Sequence, residues 1–145
     1  MAVHDDVARH LAEAGTFERA AVPLGMYVGW LAQHHLLSDA LSEAAGSLVT
    51  RVRYREITGS ELALSGCGGV LESQHLNAEG QAFTEHYYPR YLDEFREEFG
   101  GDPYAVADDW DHYDRISPRL TRALMRFRGH GTAQAPRRAW WKFWR

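Results

Sequence analysis

The chain has 145 residues, 45% hydrophobic and 25% charged, which fits one domain that buries its own core without disulfide or metal support. A formal net charge of −4 argues against nucleic acid, whose phosphates repel an acidic body. The single cysteine, Cys67, excludes an intramolecular disulfide, and no stretch reaches the roughly 18 apolar residues of a membrane span.

The start, MAVHDDVARH, has no apolar run and does not read as a secretory signal; the expectation is a cytoplasmic protein. His4–Ala14 reads as a first short helix, with Val7, Leu11 and Ala14 on one side. Pro23 then opens a helix, because the first helical position needs no backbone donor. The segment PLGMYVGWLAQHHLL is apolar nearly all round, the pattern of a central, buried helix. Gly25 and Gly29 share one face of it and let a neighbouring helix approach closely.

In SDALSEAAGSLVTRVRYREI, Leu41, Ala45, Leu48 and Val52 recur at helical spacing behind Ser38 or Asp39 as caps. Val and Tyr also suit a strand over LVTRVRYREI, but the longer periodicity predicts helix. Thr58 and Glu61 form a capping box that starts a short helix through Leu62 and Leu64, stopped by GCGG. Asn77 caps a long helix that ends at Gly100 and is kinked by Pro89. Asp102–Pro103 and Ser117–Pro118 are two further cap-plus-first-position pairs. The last helix runs from about Pro118 to Arg128 and ends at Gly129. The predicted fold is all-α, a single-domain bundle of six or seven helices over residues 1–130. Residues 131–145 read as a flexible linker and a basic-aromatic tail, RRAWWKFWR.

The motifs PLGMYVGWLAQHHLLSD, REITGSEL, AFTEHYYPRYLDEF and DDWDHYDRI occur here in an order that resembles an uncharacterised family of small bacterial proteins, a domain of unknown function. The resemblance spans about Pro23 to Arg128 and misses the tail. It implies a small, soluble, mainly helical protein and carries no catalytic residue over. Small bacterial proteins of this kind often serve as immunity proteins for secreted toxins, an analogy of size and style.

Charge is segregated along the chain. Thr84 to Arg115 holds ten acids and three bases, a balance of −7, and Ile116 to Arg145 holds eight bases and no acid, +8. Two such faces either pair inside one fold or mark an interaction surface. Within the acidic stretch Tyr87, Tyr88, Tyr91, Trp110 and Tyr113 are interleaved with Asp93, Glu94, Glu97, Asp108, Asp109 and Asp111. The rings are either core anchors or an exposed aromatic patch ringed by one charge sign, which suits a protein interface.

The catalytic alternatives are thinner. His34 and His35 lack the i+4 partner of a zinc helix, and no other histidine has ligand-like spacing, so no metal or cofactor is expected. Cys67 in SGCGG would need a base and a lowered pKa. The Asp108–Asp114 cluster comes without a nucleophile or oxyanion donor.

The leading expectation is therefore a non-enzymatic protein-binding module, an immunity protein that meets a basic toxin domain encoded nearby through the acidic–aromatic surface. The alternatives are a small enzyme with a pocket at Cys67 or at the aspartates, and a peripheral membrane or assembly factor acting through its tail. In that tail Arg137, Arg138, Trp140, Trp141 and Trp144 are the contact residues, for self-docking, a homo-oligomer, a protein partner or, less favoured, a membrane.

Overall fold

The computed structural model describes residues 2–131. It is a mostly helical fold with one small sheet. The order is β1 (Val3–Asp6), α1 (Leu11–Ala14), α2 (Phe17–Gln33), α3 (Asp39–Ala44), α4 (Leu48–Arg53), α5 (Gly59–Glu61), β2 (Val70–Glu72), α6 (Ala78–Phe99) and α7 (Trp110–Gly131).

The N-terminal segment departs from the expected helix. Val3–Asp6 is extended and pairs antiparallel with β2, Asp5 opposite Leu71 and Asp6 opposite Val70. A 3-10 turn over Val7–His10 follows, capped by the Asp6 side chain, which accepts from the Ala8 N–H. The partner strand supplies hydrogen bonds that a short isolated helix would have to find alone.

α2 is the axis of the molecule. Thr16 caps it by accepting from the Arg19 N–H, and every residue from Ala20 to Ala32 is buried. Pro23 lies inside the helix instead of opening it. The cap and the burial of Ala20, Ala21 and Val22 offset the one backbone bond that the proline removes. Pro23 is also used at its other end: its carbonyl accepts the Tyr91 hydroxyl at 2.6 Å. Gly25 and Gly29 face α5, as the spacing predicts. A Cβ built on Gly29 would sit 3.4 Å from the Gly59 Cα, and one on Gly25 would run into Ser60.

The segment after α2 is helical, not a strand, but it is two helices. Ser38 caps α3 by accepting from the Leu41 N–H. Gly46 at φ +62° then breaks the run before α4. Thr58 precedes α5 without making a side-chain cap bond. α5 continues into a π turn over Leu62–Gly66, and Gly68 and Gly69, both at positive φ, turn the chain into β2.

Asn77 caps α6 through the Gly80 N–H at 2.8 Å, and Gly100 at φ +71° ends it. The helix runs through Pro89 without a break. α7 begins at Trp110, eight residues before the expected Pro118, which lies within it. Asp109 accepts from the His112 N–H at 2.8 Å and so serves as the N-terminal cap. One core joins α2 to the inner faces of the other elements, with Trp30, Tyr27, Tyr87, Tyr91, Phe83 and Phe95 its largest fully buried side chains.

Candidate functional site

The helical period divides the expected acidic–aromatic surface of α6 into two faces. Tyr87 and Tyr91 follow Phe83 and precede Phe95 at four-residue steps, and all four are buried. Phe83 and Tyr87 stack at 5.2 Å between centroids. Tyr88 is half-buried, while Asp93 and Glu97 are exposed and Glu94 is half-buried. The rings therefore do not present themselves to a partner. Glu94 instead accepts the Tyr87 hydroxyl at 3.0 Å. Tyr113, also buried, is corrected in the same way.

A smaller part of the expectation does come together at the start of α7. Asp108, Asp109 and Asp111 are exposed around a half-buried Trp110, with Tyr113 beneath it. Trp110 and Tyr113 meet edge to face at 4.8 Å. The Arg55 guanidinium lies 4.7 Å over the Trp110 ring and forks onto both oxygens of Asp114, at 2.8 and 3.1 Å. The Thr58 hydroxyl donates to Asp108 Oδ2 at 3.0 Å. The backbone N–H and the ring of His112 hold the Asp109 carboxyl below its ordinary range, so it stays ionised. Beside Trp110 lies a dimple of about 10 Å³ floored by Met26 and Gly59, room for about one water.

Among the described residues one side chain, Arg119, joins the two oppositely charged segments, and further ion pairs tie α7 to α6. Arg119 on α7 meets Glu97 and Glu98 on α6, each at 3.0 Å. Arg115 reaches Glu98 at 3.4 Å, and Arg128 meets Glu79 at 2.7 Å. Asp108, Asp109 and Asp111 take no Lys or Arg partner among the described residues. The expected tail contacts, Arg137, Arg138, Trp140, Trp141 and Trp144, lie outside the described residues.

Cys67 is buried, and burial followed by the Glu72 charge pushes its thiol up to about 12. At neutral pH it holds almost no thiolate, the form that nucleophilic chemistry needs. Of the separate aspartate cluster, Asp109 and Asp111 are exposed. Among the described residues no three His, Cys, Asp or Glu side chains are placed to hold a metal, and no helix is long and apolar enough to cross a membrane.

Sequence reading missed one cluster altogether. Asp5, extended on β1 and only 6% exposed, accepts from His10 Nε2 at 2.8 Å and from the Asp6 N–H at 2.8 Å. Its second oxygen accepts the Tyr88 hydroxyl of α6. His10 Nδ1 lies 2.6 Å from the hydroxyl of Tyr104, in the 3-10 turn after α6. With Nε2–H donating to Asp5, Nδ1 accepts the Tyr104 proton when the imidazole is neutral, and donates when it is charged. Burial pushes the Asp5 carboxyl up, but hydrogen bonds from His10 and Tyr88, the His10 charge and the Asp6 N–H outweigh it, and the net shift is downward. The Asp5 hydrogen bond raises His10. These side chains line a cavity of about 170 Å³ together with Pro23, Leu24, Pro89 and Leu92. Four residues spread over a hundred positions carry no common spacing, so only the fold assembles them.

The chain belongs to a family defined by a domain of unknown function, DUF7832, whose model matches residues 3–107. The family match bears out the resemblance, but with other limits. It takes in β1 and the Asp5–His10–Tyr88–Tyr104 cluster and stops before α7, so DDWDHYDRI falls beyond it. No curated protein and no solved structure matches the chain.

Proposed function

We propose that this protein is a non-enzymatic binding module of the toxin-neutralising immunity kind, which meets a basic partner through the acidic end of the molecule at the start of α7. One observation carries the reading: two exposed carboxylates, Asp109 and Asp111, flank the half-buried Trp110, with Asp108 beside them held by the Thr58 hydroxyl and its carboxyl raised by partial burial, and none of the three finds a Lys or Arg partner among the described residues. The α6 acids are different, since Glu97 and Glu98 are already engaged by Arg119. An aromatic anchor ringed by charge of one sign steers an oppositely charged partner and adds apolar contact on docking. The contact surface is thus smaller than the sequence suggests and excludes Tyr87, Tyr91 and Tyr113.

The test is co-expression with the products of adjacent genes, followed by titration of whichever basic domain co-purifies. Replacing Asp109 and Asp111 by Lys should weaken that complex and flatten its salt dependence. Because Asp109 also caps α7, that variant should melt lower, and Asp111→Lys alone is the variant that should weaken the complex while the melting curve of the free protein stays nearly unchanged. Equal affinity of wild type and double variant at low salt would remove the proposal.

A further inference from the structure

We infer that the cavity between β1, α2 and α6 is a binding site for a small organic ammonium ion, with its apolar skeleton against Leu24 and Leu92 and its charged head on Asp5 and Tyr88. The inference is independent of the protein-binding reading and uses none of its residues.

The first argument is where the polar groups sit. A buried ionic network is weak evidence of stabilisation, because apolar residues of the same shape often hold a fold as well. Here the network lines a cavity of about 170 Å³ whose remaining lining, Ala20, Pro23, Leu24, Pro89 and Leu92, is apolar. An apolar cavity with a few convergent polar groups is the usual form of a small-molecule site.

The second argument is the hydrogen-bond inventory. Every buried side-chain nitrogen and oxygen among the described residues has a partner, and with neutral His10 no donor in the network awaits a ligand acceptor. Protonated His10 frees the Tyr104 proton, so the cation site is the one formed at neutral His10. With neutral His10, Nε2–H is given to Asp5 and the Tyr104 proton to Nδ1. The Tyr88 proton is given to Asp5 Oδ2. What remains are acceptor lone pairs on Tyr88, Tyr104 and Asp5 Oδ2, beside a carboxylate charge. A ligand that fits must donate, and a cation fits better than a neutral donor. An anion meets acceptors and a like charge. The volume admits a few carbon atoms, and Leu24, Leu92, Pro23 and Pro89 supply the surface that an alkyl chain would cover.

The third argument is competition with a proton. The groups facing His10 are Asp5 from β1, Arg9 and Glu13 beside it, and the Tyr104 hydroxyl. The charges of Glu13, Arg96, Asp5 and Asp102 act on Tyr104. Asp5 raises His10 above its ordinary value, so protonated His10 already partly neutralises Asp5. An ammonium ion does the same work. Its binding should strengthen as pH rises through the His10 titration and the imidazolium charge disappears.

The probe is n-butylammonium, with n-butanol and butyrate as carbon-matched neutral and anionic controls, in saturation-transfer NMR and titration on the full chain. The expected result is saturable butylammonium binding, weaker butanol binding and none by butyrate, with affinity rising from about pH 5.5 to about pH 8 across the histidine range. Asp5→Asn should weaken it by about tenfold or more, as loss of a charged acceptor does. Should that variant fail to fold, Tyr88→Phe removes one acceptor and leaves the charge. Leu92→Trp fills the cavity from α6 without touching the network and should abolish binding. The inference is overturned by absence of butylammonium binding at millimolar concentration, by butyrate binding as well as butylammonium, or by undiminished binding in a folded Leu92→Trp protein.

Discussion

Gly59 sets how closely α5 lies on α2. A Cβ there would run into the Gly25 carbonyl oxygen and sit 2.8 Å from the Gly29 nitrogen, so the two backbones would have to part. Gly59→Ala should cost about 3 kcal/mol, at the upper end of overpacking. Gly29→Ala is the informative contrast. Its Cβ would meet the Gly59 Cα at 3.4 Å, and the gain in helix propensity of about 1 kcal/mol offsets much of the crowding. Urea unfolding of the two variants checks this, and equal losses would mean that the backbone approach at Gly59 is not what limits the packing. Trp30 shows the opposite extreme of side-chain size. It is fully buried, and its indole N–H donates to Thr121 Oγ1 at 3.1 Å. Trp30→Ala should cost about 3–5 kcal/mol in the same assay, and a loss below about 1 kcal/mol would contradict its placement in the core.

At the scale of an element, β1 is held by side chains as much as by its three-residue partner strand. Asp5 ties it to α6 through Tyr88, and His10 ties the following turn to Tyr104. The signs of the two titrations differ. Asp5 is lowered in the fold, so its contribution is present above the ordinary value of 3.8 and is lost as pH falls through the folded value. His10 is raised, so its contribution is full below 6.5 and is lost as pH rises through the folded value. The stability difference between wild type and His10→Gln should therefore be largest between those two ordinary values and shrink on either side. Chemical denaturation across the pH range measures it. The difference is the right quantity because His4, His34 and His75 are lowered by burial and tilt both proteins the other way. A difference that grows above pH 6.5 would show that His10 is not stabilised in its charged form.

At the scale of the whole molecule, charge among the described residues joins the two long helices at three α6 glutamates, Glu79, Glu97 and Glu98. Arg119 bridges Glu97 and Glu98, and Arg115 also reaches Glu98. Such partly exposed pairs are worth little singly, so Glu97→Gln with Glu98→Gln should cost about 1 kcal/mol at low salt. The loss should nearly vanish in about 1 M salt, where the screening length falls to about 3 Å. Thermal melts at the two salt concentrations decide it. A loss independent of salt would mean that packing of the side-chain stems, not charge, joins α6 to α7.

The sequence by itself determined the elements whose signals are local. The all-round apolar run names α2 as the central helix, and Ser38 and Asn77 mark their helix starts through bonds to N–H groups three residues on. Gly25 and Gly29 announce a close neighbour without saying which. What the tertiary structure decided are matters of distance in the chain. Val3–Asp6 is a strand because Val70–Glu72 lies beside it, and no local pattern carries that partner. Pro23 and Pro118 sit within helices because caps at Thr16 and Asp109 lie several residues earlier, whereas a local reading takes each proline as a start. Tyr87 and Tyr91 belong to the core because α2 covers their face of α6, a choice that the four-residue period leaves open between core and partner. The Asp5–His10–Tyr88–Tyr104 cluster exists only in three dimensions. Its members obey no spacing, and a buried carboxylate there is tolerated only because three separate segments bring it donors.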